Sequence, residues 1–97
     1  MRYTISKKTI QDIEKIWLYT YENWSLEQAD RYYNLILDEI EFIAENFESG
    51  KSIDYIKVGY IASMVKSHII FYKKSKGNIV EIIRVLHQKM DIENRIE

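Results

Sequence analysis

The stretch Ser67-His68-Ile69-Ile70-Phe71-Tyr72 decides the fold when read together with Ile79-Val80-Glu81-Ile82-Ile83-Arg84-Val85-Leu86-His87. Between them lies Ser75-Lys76-Gly77-Asn78, whose Gly and Asn tolerate positive φ, so the two runs form a hairpin. The second run is apolar on both faces, interrupted only by Glu81 and Arg84. Such a strand belongs inside a sheet, with a neighbour on each side.

Working outward, Tyr60 to Val65 reads as a strand before the hairpin, and Ile53 to Lys57 as a further short candidate. Toward the N-terminus the period becomes helical. The second helix carries Ala29, Tyr33, Ile36, Ile40, Ile43 and Phe47, opens on a Ser25–Gln28 capping box and ends before Gly50. The first spans about residues 7–22, with Ser6 as N-cap and Ile10, Ile13, Trp17 and Tyr21 as its apolar stripe, Ile16 beside them. Arg2 to Ile5 reads as an opening strand. The resulting order is β-α-α-β-β-β, an α+β fold in which a helical hairpin packs on a small, mainly antiparallel sheet.

With 97 residues the chain is expected to form a single domain, residues 1–97, around one modest core. There is no cysteine, hence no disulfide and no cysteine metal site. A metal would need His68, His87 and a carboxylate such as Asp91, a spacing that matches no ligand pattern, so neither metal nor cofactor is expected. No apolar run reaches the roughly 18–20 residues of a membrane span. The start, Met1-Arg2-Tyr3-Thr4, does not read as a signal peptide, so a cytoplasmic setting is expected. Net charge is −1, but residues 1–50 hold 5 basic and 10 acidic side chains, against 9 and 5 in residues 51–97. The C-terminal half therefore offers a basic face to an acidic protein or a phosphate backbone. The overall balance is too weak for a free-standing nucleic-acid binder.

Acid–base chemistry could fall only to Arg84, His87, His68 and Tyr72. Side chains alternate along a strand, so Arg84 and His87 lie on opposite faces unless the strand ends or bulges between them. His68 and Tyr72 share a face, aligned with His87 across a two-residue turn or with Arg84 across a three-residue one. Either way a regular hairpin does not bring the four together. Lys73, Lys74 and Lys76 surround the turn as edge-protecting charges or a cationic knob. Tyr19, Tyr21, Trp24, Tyr32 and Tyr33 gather around the helical hairpin. Trp17, Tyr21 and Tyr33 are assigned to the core; the remainder suggest an apolar surface for a partner.

End to end, the chain resembles the ParE branch of the RelE/ParE toxins. The specific matches are His68-Ile69-Ile70-Phe71-Tyr72 and Arg84-Val85-Leu86-His87-Gln88-Lys89-Met90-Asp91. Weaker ones run through Tyr3-Thr4-Ile5-Ser6, Asp12-Ile13-Glu14-Lys15-Ile16, Trp24-Ser25-Leu26-Glu27-Gln28-Ala29, Tyr33, Ile43-Ala44-Glu45-Asn46, Gly50, Asp54 and Gly59-Tyr60. Similar toxins usually carry arginine after the Gly-Tyr pair, where this chain has Ile61. The resemblance implies a compact RelE-like fold and a toxin that inhibits DNA gyrase by protein–protein binding without being an enzyme. It also implies a cognate antitoxin, ParD-like or another small protein, that wraps the toxin with an acidic amphipathic tail. No membrane and no direct specific nucleic-acid binding are expected. Target-facing candidates are Tyr60, Lys73, Lys74, Lys76, Arg84, His87 and Lys89; antitoxin-facing candidates are Tyr19, Trp24, Tyr32, Lys57 and Lys66. The alternatives are a ribosome-dependent mRNA endonuclease of the RelE type, built on Arg84, His87, His68 and Tyr72, or an inactive relative retained as a binding module.

Overall fold

The computed structural model describes residues 2–96. Strand β1 (Arg2–Ile5) leads into helices α1 (Lys7–Asn23) and α2 (Leu26–Glu45), followed by a 3-10 turn at Phe47–Ser49. Then come β2 (Lys51–Ser52), β3 (Ile61–Val65), β4 (His68–Ser75), β5 (Ile79–His87) and a short helix α3 (Ile92–Arg95). Both long helices start where the sequence places them. Ser6 Oγ accepts from Thr9 N–H at 3.0 Å and Ser25 Oγ from Gln28 N–H at 3.0 Å, each satisfying an orphan first-turn donor.

The sheet order is β1-β5-β4-β3-β2, with β1 parallel to β5 and the other pairs antiparallel. The doubly apolar β5 indeed has a neighbour on each side. Two elements differ from the sequence reading. Ile53–Lys57 is not a strand: the Ile56 and Lys57 N–H groups both bond Ile53 C=O, closing a turn, and Ile53 N–H bonds Tyr60 C=O at 2.9 Å. The pairing with β3 falls instead to Lys51 and Ser52. The C-terminal helix, a single turn without an apolar period, was not foreseen.

The helices cover one face of the sheet. Ile13, Ile36, Ile40 and Ile43 pack there on Ile70, Tyr72, Val80, Ile82 and Val85. The opposite face buries Phe71, Ile83 and Leu86 beneath Ile53, Tyr60 and Ile96. Tyr21 and Tyr33, assigned to the core from their spacing, are 48% and 40% exposed. Trp17 is half-buried, stacks on Tyr21 with centroids 5.3 Å apart, and donates from Nε1 to Asp30.

The cause of this rotation is β1. It pairs only with Ile79–Ile82, so the backbone of β5 beyond Ile82 needs other partners. The start of α1 supplies them. Ser6 Oγ donates to Ile83 C=O at 2.8 Å, Thr9 Oγ1 to Ile82 C=O at 3.2 Å, and Asp12 Oδ2 accepts from Val85 N–H at 3.0 Å. The inward stripe of α1 is therefore Thr9, Asp12, Ile13, Ile16 and Thr20, and the large aromatics turn outward.

A bulge sits in the central hairpin. Tyr72 pairs with Ile82 but Phe71 with Arg84, leaving Ile83 as the extra residue. The connection at residues 76–78 has three residues, which alone would align His68 with Arg84. The bulge reverses the phase, so His68 pairs with His87 and Arg84 stays on the other side.

Candidate functional site

The tip of the helical hairpin and the far ends of β4 and β5 enclose a groove of about 950 Å³. Ile16, Leu35 and Met90 contribute apolar lining, and Tyr19 and Trp24 flank it, 64% and 73% exposed. Lys15, Arg31, Lys66 and Arg95 border the same space. Arg31 lies 3.9 Å from Glu27 on the helix surface, a contact that solvent largely screens.

The paired ends of β4 and β5 place His68 and His87 on the groove lining, ring centroids 5.2 Å apart and edge to face. His68 Nδ1 lies 2.5 Å from Tyr32 Oη, which is 3.1 Å from Val65 C=O. One arrangement satisfies both contacts: Nδ1–H donates to the tyrosine oxygen, and the tyrosine O–H donates to the carbonyl. Burial, reinforced by His87, lowers the His68 pKa to about 4, despite an opposing pull from Asp12. At neutral pH His68 is therefore uncharged. His87 Nδ1 accepts the Lys89 backbone N–H at 3.1 Å.

Arg84 also borders the groove, but its guanidinium is committed. Nε and Nη2 each lie 2.8 Å from an oxygen of Asp12, and Nη1 donates to Arg95 C=O at 2.9 Å. The Asp12 carboxylate is thereby neutralised, while the guanidinium ties α1 to the C-terminal helix. Tyr72 is fully buried, donates its O–H to Phe47 C=O at 2.9 Å, and burial raises its pKa. It lies four residues from His68, about 13 Å along the strand. Arg84, His68 and His87 thus border one groove, while Tyr72 is buried apart from them. Among the described residues no group of three metal-binding side chains comes together.

Of the antitoxin-facing candidates, Tyr19, Trp24, Tyr32 and Lys66 line the groove. Lys57 lies instead over the Tyr60 ring, 5.3 Å from its centroid. Of the target-facing candidates, His87 and Arg84 are at the groove and Lys89 is exposed beside it, while Lys73, Lys74 and Lys76 lie at the other end of β4. Tyr60 is only 5% exposed and presents no ring surface to a partner. Ile61 is half-buried, packed on the helix-side core. Sequence reading gave no role to Asp12, Lys15, Arg31 or Arg95. Only Asp12 left a signal, a carboxylate one turn after Thr9 on the inward stripe.

Residues 3–92 match the family profile described as the ParE toxin of type II toxin–antitoxin system, parDE. The chain belongs to the ParE toxin family. It is 33% identical over 95 residues to Toxin ParE1 of Mycobacterium tuberculosis, covering 98% of this chain and 97% of that one. It is 38% identical over 89 residues to Toxin ParE1 of Caulobacter vibrioides, covering 92% and 91%. A solved structure titled "Chromosomal ParDE TA system from P. aeruginosa" superposes with a TM-score of 0.76 at 16% identity, covering 90% of this chain and 95% of that one, which places the fold. The RelE/ParE-type α+β architecture inferred from the two C-terminal motifs is the one observed. Among the described residues, no helix of this ParE-family chain is long and apolar enough to cross a membrane.

Proposed function

We propose that this ParE-family toxin inhibits DNA gyrase by protein–protein binding and is neutralised by a cognate antitoxin occupying the groove. Kinship with the ParE1 toxins along nearly the whole chain carries this reading. The geometry supports a binding mode without catalysis. The cation that would hold a scissile phosphate is committed to Asp12, His68 beside His87 is uncharged and tied to Tyr32, and Tyr72 is buried away from the groove. The groove itself, apolar inside and bordered by Lys15, Arg31, Lys66 and Arg95, is complementary to an acidic amphipathic segment.

Two reactions run in parallel test the target. Purified protein is added to a supercoiling reaction with gyrase and to a cell-free translation reaction read by toe-printing. Loss of supercoiling with unbroken mRNA is expected; the reverse pattern overturns the reading in favour of ribosome-dependent cleavage. The groove is tested by truncating its exposed aromatics. The double change Tyr19→Ala and Trp24→Ala removes side chains outside the core, so the fold is expected to persist. Antitoxin affinity, measured by calorimetry, is expected to fall by about 2–4 kcal/mol, as for exposed aromatic anchors at an interface. An unchanged affinity would remove the groove from the antitoxin interface.

A further inference from the structure

The opposite end of the sheet carries a second group of lysines, away from the groove proposed for the antitoxin. From His68 in the groove to Lys73 is five residues of β4, about 17 Å. There Lys57 and Lys73 hold their ammonium groups 5.3 and 5.5 Å from the centroid of the Tyr60 ring. Lys74, the next residue, turns to the other face of the sheet, 5.9 Å from the centroid of Phe47 on the helix side. An aromatic face attracts an ammonium through its quadrupole and so positions the charge without neutralising it. Among the described residues, none of these three lysines is in an ion pair. Lys76 adds an exposed charge in the adjoining turn. Carboxylates also lie near this end: Glu48 follows Phe47 in the 3-10 turn, and Glu39 acts on Tyr72, the neighbour of Lys73. Glu81 stands opposite Lys73 across the β4–β5 pair, and Asp54 on the neighbouring loop already accepts the Gly59 N–H.

We propose that this end of the sheet binds the phosphate backbone of DNA weakly and without sequence preference, through Lys57, Lys73, Lys74 and Lys76, a local patch on a chain whose net charge of −1 does not favour tight binding. Ammonium groups spread over a strand end and a turn complement a regular polyanion, and backbone contacts of this kind carry no sequence information. An acidic amphipathic peptide needs an apolar concavity as well, and the groove that offers one lies at the far end of β4. The proposal goes beyond the reading of gyrase as target and does not depend on it, since the binding is measured without gyrase.

The test is fluorescence anisotropy of a labelled DNA duplex titrated with the full chain. Four phosphate contacts give a log–log salt slope near −3.6, so affinity is expected to fall about 150-fold between about 50 and 200 mM salt. K57E/K73E is expected to weaken binding about tenfold or more, whereas K7E/K8E, the same charge change on α1, should alter it by less than about threefold. K74E/K76E changes two exposed lysines away from the Tyr60 packing and is expected to weaken binding similarly, which separates charge from fold. Absence of salt-dependent binding overturns the proposal. So does an equal loss in K7E/K8E, or a polyglutamate peptide that binds as tightly as the duplex.

Discussion

Asp12 shows how much one buried carboxylate can organise. It receives both nitrogens of the Arg84 fork and the Val85 backbone N–H, so removing it strands a half-buried guanidinium and an edge amide together. Asp12→Ala is expected to lower stability by about 3 kcal/mol in urea denaturation, because breaking a buried pair leaves an uncompensated charge. A loss under about 1 kcal/mol would show that the pair is effectively solvated. The partner of Arg84 was not legible in the sequence, since it lies 72 residues away and nothing local links the two. His68 carries a second consequence. Its folded pKa of about 4 lies below the unfolded value of 6.5, so the unfolded chain binds more protons between those values. Stability from this group is full above about pH 6.5 and is lost as pH falls toward about 4. The urea midpoint is therefore expected to drop between about pH 7.5 and pH 5, and His68→Gln to flatten that part of the profile.

Elements whose hydrophobic period and turn chemistry agree were readable: both helix starts, the hairpin and the interior place of β5. The stripe of α1 was misread because apolar periodicity selected Trp17 and Tyr21, whereas the short β1 made β5 recruit the polar Ser6, Thr9 and Asp12. The bulge at Ile83 has no sequence marker, yet it sets which histidines meet. At Gly50 the passage from α2 into β2 is tight: a Cβ built there would lie 2.6 Å from Ile61 Cγ2 and 2.9 Å from the Ala62 carbonyl oxygen. Gly50→Ala is expected to cost about 1–3 kcal/mol by overpacking, read as a lower thermal midpoint with the helical signal retained. An unchanged midpoint would mean that the junction relaxes freely.

On the scale of the whole molecule, cations gather at two places. One basic region borders an apolar groove under the helical hairpin tip, and another occupies the far end of the sheet. The family was legible from two short C-terminal runs because they combine the central hairpin with its exit, where fold and sequence constrain each other. The groove was legible only in part, through its aromatics, because its cations come from α1, α2, the β3–β4 turn and α3, and only folding brings them together. Gyrase inhibition by binding, as opposed to turnover, has a stoichiometric signature. Titrating the protein against a fixed amount of gyrase and following DNA supercoiling measures it directly. Supercoiling is expected to decline as the protein approaches the gyrase concentration and to stop once gyrase is saturated. Undiminished supercoiling at large molar excess would contradict gyrase as the target.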